Sequence, residues 1–250
     1  MAAGRMQFDH DERRQIYEYV ERHGSVDPED LQQAVMHTDP RGFRHHLAIL
    51  KRNNTLTETT DGLLEVAIDS GEEEQHREAD IAFTIRPAHE KDLSGIVSAI
   101  RRVAEQGRYI VAESVADEVD HQDVLLRHNE LESRMFFVAT VNDEVVGWVH
   151  IHAPELEKLS HTAELTVGVI VEYRCHGIGS HLLRRGLEWA RAQGYEKVYQ
   201  SLPSTNERAI EFLETHNWEI EAVREGHYRI DEEYVDEIMM SVSLHDDAFE

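Results

Sequence analysis

The chain has 250 residues, 40% of them hydrophobic, enough to bury one large core or two modest ones. Fifty acidic residues stand against 25 basic ones, and only four of the basic residues are Lys; this skew favours a high-salt interior, where a Debye length of about 3 Å screens self-repulsion, over an ordinary acidic protein. No apolar run approaches the ~18 residues of a spanning helix, the N-terminus lacks the apolar centre of a signal peptide, and the single Cys175 has no partner, so a cytoplasmic protein held by packing alone is expected.

Charge divides the chain. Residues 1–57 carry eight basic and nine acidic residues, residues 58–250 carry 17 and 41. In the first part, a helix from about Asp9 to His23 sets Ile16, Tyr19 and Val20 on one face and ends at Gly24. Asp27-Pro28 and Asp39-Pro40 each announce a further helix, the second burying Phe43, Leu47 and Leu50. The stretch "TLTETTDGLLEVAI" then reads as two strands joined at Asp61-Gly62. Three helices and a hairpin form a winged-helix pattern, similar to the winged helix-turn-helix domains of prokaryotic regulators. From Pro40 to Thr57 there is no acid, while Arg41, Arg44, Lys51 and Arg52 fall within that window. Residues 40–57 are therefore expected to meet a partner, either DNA phosphates or a protein surface. The expected divisions are a winged-helix-like domain at 1–68, an acidic, solvated linker at 69–81 ("DSGEEEQHREAD" lies within it) and a second domain at 82–245.

In the second domain "AFTIR" predicts a strand, and Leu93, Ile96, Val97 and Ile100 mark an amphipathic helix. A long loop and a second helix around Val124, Leu125 and Leu131 are expected next. Then come a hairpin turning at Asn142-Asp143, a strand "TAELTVGVIV", a helix at 177–193, a strand "KVYQSL", a helix at 206–216 and two strands around 218–225 and 235–244. The order is that of an α/β fold with a mixed, mostly antiparallel sheet and flanking helices.

The chemistry concentrates between the fourth strand and the helix after it, at Arg174-Cys175-His176-Gly177-Ile178-Gly179-Ser180. The spacing excludes the nucleotide P-loop, which needs four residues between its glycines followed by Lys-Ser/Thr. It also excludes G-x-G-x-x-G, because Leu182 stands at the third glycine. What remains is a helix start with two Cβ-free positions, able to present successive N–H groups to a pyrophosphate or simply to turn the chain.

R-x-x-G-x-G after "AELTVGV" resembles motif A of the GNAT superfamily of N-acetyltransferases, and "STNERAIEFLETHNW" resembles a later segment of that family. The resemblance covers residues 82–245 and is nearest to the phosphinothricin-type and ribosomal-protein N-terminal acetyltransferases. It implies the acyl-CoA N-acyltransferase fold, acetyl-CoA as cosubstrate, and direct acetyl transfer to a primary amine such as a protein N-terminus, a lysine or a small amine. It implies that Val169 lies at the backbone N–H that meets the oxyanion. Val171 and residues 174–180 would hold the cofactor, with Asn206 touching it. Glu164 is implied as the general base. Many relatives carry a Tyr as proton donor on the last helix, but Leu213 stands there, leaving Tyr199, Tyr228 or water. A transcription regulator using the same fold as an acyl-CoA or ligand sensor is the alternative. His150 and His152 share a strand face without a third ligand, so no metal site is expected. Trp148, Trp189 and Trp218 are expected in the core.

Overall fold

The structure is a computed structural model describing residues 8–67, 71–78, 81–104, 110–128, 132–154 and 157–245. Three helices open the chain: α1 (Asp11–His23), α2 (Pro28–Met36) and α3 (Pro40–Arg52). Each later start carries its own cap. Asp27 accepts the Glu29 N–H at 2.7 Å, and Asp39 accepts the Gly42 N–H at 2.9 Å, so an otherwise orphaned donor is satisfied at each end. A two-stranded antiparallel hairpin follows, β1 (Leu56–Glu58) and β2 (Leu64–Val66). Ile16, Val20, Leu31, Phe43, Leu50, Leu56 and Leu64 form a core of their own beneath these elements.

The second core lies in a nine-stranded sheet. Its strands are β3 (Glu74–Glu78), β4 (Ile81–Pro87), β5 (Arg127–His128), β6 (Glu132–Val141), β7 (Glu144–Pro154), β8 (Thr162–Val169), β9 (Lys197–Pro203), β10 (Glu219–Ile230) and β11 (Glu233–Ser243). Four helices flank it: α4 (Leu93–Ala104), α5 (Ile110–Gln122), α6 (Ile178–Ala192) and α7 (Glu207–Glu214). The strand order is β10-β11-β9-β8-β7-β6-β4-β3, with β5 beside β6, and every pairing is antiparallel except β8 with β9. The β6–β7 turn uses the left-handed pair Asn142 (φ 50) and Asp143 (φ 66), as the hairpin reading requires. Trp148, Trp189 and Trp218 are all buried.

Two expectations are corrected. The stretch expected to be a solvated linker holds β3, which pairs along its whole length with β4. Two of its side chains are held by the rest of the sheet domain: Glu74 meets Arg185 at 2.9 Å, and His76 stacks on Phe83 with centroids 5.3 Å apart. The helix expected around Val124 and Leu125 lies earlier, because Ala112, Val115, Ala116 and Val119 supply the helical spacing of α5. Val124 and Leu125 are buried in the coil after it, and Leu131 is outside the described residues.

The two cores meet. The Tyr17 hydroxyl on α1 donates to the His128 carbonyl at 2.5 Å, and Arg127 reaches the Glu21 carboxylate at 3.3 Å. Glu90 accepts the N–H groups of Leu125 and Leu126, and its carboxyl carbon would lie 3.0 Å from a Cβ placed on Gly24. No helix among the described residues is long and apolar enough to cross a membrane.

Candidate functional site

Strand β8 and strand β9 separate in mid-course. Their parallel pairing ends at Glu164↔Tyr199. Beyond it β8 stays with β7, pairing Val169 with Gly147, and β9 stays with β11, pairing Leu202 with Ile238. The gap is the mouth of a cleft of about 270 Å³. Val167, Gly168 and Val169 wall one side, Gln200 and Leu202 the other, and Arg208, Phe212 and Leu213 of α7 close the end.

The floor is the start of α6. A 3₁₀ turn at Val171–Tyr173 leads out of β8, and Cys175 (φ 64) and Gly177 (φ 72) both adopt the left-handed region, folding the chain onto the head of the helix. The first bond there runs from the His181 N–H to the Gly177 carbonyl at 3.1 Å. The N–H groups of Ile178, Gly179 and Ser180 thus have no acceptor within the helix, and the helix dipole adds partial positive charge beside them. A Cβ on Gly179 would lie 3.5 Å from the Phe212 ring and 3.8 Å from Val169, filling the space between helix and strand. Glycine keeps the cradle open. The donors suit a diphosphate, and the apolar walls suit an extended chain leading from it.

Val169, Arg174, Cys175, Gly177, Gly179 and Ser180 line this cleft together. Arg174 is anchored by its Nε–H to the Val169 carbonyl at 2.8 Å, which ties the turn to the strand end. The Ile178 side chain is in the core, so only its backbone faces the cradle. Val171 is half exposed at the turn, outside the lining. His176 is half-buried with its Nδ1 unbonded. Asn206 is buried; its carbonyl takes the Ala209 and Ile210 N–H groups, and its side chain makes no capping bond.

Glu164 is not in the cleft lining. It alternates with Leu165, which packs under α6 at Gly186, so its side chain leaves the opposite face of the sheet at the row where the strands part. In register on that row are Arg134, His152, Glu164 and Tyr199. Burial raises the Glu164 carboxyl above the ordinary range; His152 opposes the shift and Glu237 adds to it. Burial and then Glu164 raise the Tyr199 phenol. The Tyr228 phenol is also raised, first by burial and then by its bond to Glu237 at 3.0 Å. Leu213 is buried at the cleft end, without a proton to give.

Several residues of the site escaped the sequence reading. Gln200 lines the cleft with its Oε1 buried and unbonded, an acceptor in want of a donor. Its signal was legible, because it breaks the apolar alternation of Val198 and Leu202. Arg208 donates to the Cys175 sulfur at 3.0 Å, and nothing in its spacing announced that contact. His150 and His152 stack with centroids 6.3 Å apart, and burial pushes the His150 imidazole well down, followed by Arg134 and His152. Among the described residues no group of three or more His, Cys, Asp or Glu could hold a metal ion.

Comparison with known proteins adds an independent line. The model of the acetyltransferase (GNAT) family matches residues 100–218. A mycothiol acetyltransferase of Corynebacterium glutamicum is 37% identical over 70 residues, or 27% of this chain; the match spans about a fifth, 22%, of that relative's length. The acetyltransferase of the GNAT family from Streptococcus pneumoniae shares the fold with a TM-score of 0.54 at 22% identity, over 65% of this chain and 99% of that one. A candidate acetyltransferase from Salmonella typhimurium, solved with its cofactor acetyl-CoA, gives 0.53 at 19% identity, over 66% and 95%. The GNAT family model thus matches a little under half of the chain, and the sheet, with its splayed strands and the glycine-lined turn between them, has the fold of solved GNAT acetyltransferases.

Proposed function

We propose that the protein moves the acetyl group of acetyl-CoA to a primary amine by direct attack. The observation that carries this reading is the cleft itself: a diphosphate-sized set of free N–H groups at the head of α6 opens into a gap between β8 and β9 whose wall holds an unbonded Gln200 oxygen. Acetyl-CoA, when bound, supplies the activated acetyl thioester. The N–H groups of residues 177–180, with Arg174, hold the diphosphate, and Gln200 accepts a hydrogen bond from the amide-bearing arm. A backbone N–H near Val169 meets the charge that develops on the thioester oxygen. Glu164 takes the proton of the incoming ammonium, directly or through a water, from the face opposite the cradle. Tyr199, Tyr228 or water is left to protonate the thiolate.

Calorimetry of acetyl-CoA against the full chain in molar salt tests the reading. Binding in the micromolar range is expected, and no heat from a folded protein overturns it. Labelled acetyl-CoA with fractionated cell extract then identifies the amine.

The N-terminal part supports a second role. We read residues 1–68 as a winged-helix-like unit joined to the enzyme at 82–245, in a protein suited to a high-salt interior. On α3 the residues Arg41, Arg44, His45, Ala48 and Arg52 recur at helical spacing, and all are exposed. Lys51 is paired with Glu58, whereas Arg41, Arg44 and Arg52 have no acidic partner among the described residues. Contacts to the sheet domain use Tyr17 of α1 and Glu65 of β2, which leaves this face open to duplex DNA. Anisotropy with a labelled duplex should show salt-dependent binding, with log K falling by roughly 2.7 per decade of salt for three phosphate contacts. Binding unchanged after Arg41→Ala, Arg44→Ala and Arg52→Ala together would argue against DNA.

A further inference from the structure

Strand β3 lies along α6 and is fastened there by charge and ring stacking. Glu74, at one end, takes Arg185 at 2.9 Å and Arg184 at 3.5 Å. His76, in the middle, packs on His181 with centroids 4.0 Å apart. Glu78, at the other end, brings a carboxylate to the head of the helix: a Cβ on Gly177 would lie 3.3 Å from its Cγ and 3.6 Å from its carboxyl carbon. That carboxylate faces His181 Nε2 at 3.5 Å, while Arg184 meets the other ring nitrogen of His181 at 3.1 Å.

A negative side chain is stabilised at a helix N-terminus by the same dipole that favours a phosphate. Glu78 therefore stands beside the cradle with the charge of the ligand. His181 is held on the strand side of α6 by the His76 and Phe83 rings, outside the cleft lining, so it is the charge of Glu78 that reaches the cradle. We infer that Glu78 is an electrostatic gate on the cofactor cradle, repelling the diphosphate of coenzyme A, with salt as the agent that relieves the repulsion. The inference rests on the acetyl-CoA reading and adds a residue that sets cofactor affinity without touching the thioester. Its physical basis is range. Charges separated by several ångströms interact strongly in dilute salt, and a Debye length of about 3 Å at 1 M removes most of that interaction. A chain with a net charge of −25 is suited to such a setting.

The test is calorimetry of coenzyme A against the full-length wild type, Glu78→Gln and Glu78→Lys. The salt series runs up to 3 M from the lowest concentration at which all three give the same far-UV circular dichroism. At the low end Glu78→Gln should bind about fivefold tighter than wild type and Glu78→Lys tighter still, with the ratios shrinking below about twofold at the high end. Equal affinities at the low end overturn the gate. So does a ratio that salt leaves unchanged, which marks a packing effect. Failure of every protein to bind at every salt concentration overturns the acetyl-CoA reading and the gate with it.

Discussion

Replacing Glu164 by Gln should lower acetyl-transfer turnover about 10²- to 10³-fold and leave the affinity for acetyl-CoA within twofold of wild type. The split follows from position: the side chain leaves the sheet on the face away from the cradle, so the proposed role has it meet the amine and not the diphosphate. The amide keeps the size and removes the base. Burial raises the carboxyl of Glu164, and a base acts only when deprotonated, so wild-type turnover should fall as pH drops through a value above the ordinary Glu range of about 4.3. That acid limb should be missing from the variant. Steady-state rates across pH, with calorimetry of the cofactor alongside, provide both readings. A parallel loss of turnover and cofactor affinity would mean that Glu164 supports the sheet instead.

Replacing Arg134 by Ala should cost about 3 kcal/mol of stability and lower the melting midpoint by roughly 6–12 °C. The guanidinium is 1% exposed and donates to the carbonyls of Leu125 and Val124, to Gln122 and to Glu118, all at 2.7–3.1 Å. Glu118 is half exposed and regains water, and the Gln122 oxygen keeps its bonds from Arg127 at 3.3 Å, so the cost falls on the two carbonyls. Arg134→Lys should recover little, because an ammonium cannot span the fork of acceptors. Thermal denaturation in high salt measures both variants, and a loss below about 1 kcal/mol would show that the 123–126 loop finds water in place of the arginine. This loop also donates to Glu90, which lies against Gly24, and runs into Arg127, which reaches Glu21 of α1, so the same variant should loosen that junction.

Much of the fold was legible because short-range physics wrote it. Asp27-Pro28 and Asp39-Pro40 are caps whose geometry depends on three or four neighbouring residues, and both helices start where those pairs stand. Asn142-Asp143 turns its hairpin because both residues tolerate positive φ. The cradle was legible for the same reason, since a left-handed Gly177 before a helix needs only its own segment. Strand β3 was not legible. Apolar alternation is the signal for a strand, and "EQHRE" has none; it pairs because β4 offers an edge and α6 offers arginines, more than a hundred residues away in sequence.

Alone, then, the sequence determined most of the helices and strands and the left-handed glycine turn at the head of α6, and it put Leu213 where the resemblance expects a proton donor. All of these follow from residue type, spacing and neighbours along the chain. Tertiary structure decided the rest: the row Arg134, His152, Glu164 and Tyr199, the unbonded Gln200 oxygen in the cleft wall, the arginine at Cys175, and the carboxylate of Glu78 beside Gly177. Each of these depends on strand register or on a helix laid against a distant strand. Electrostatic interaction reads distance through space, which residue order does not encode until the sheet has formed.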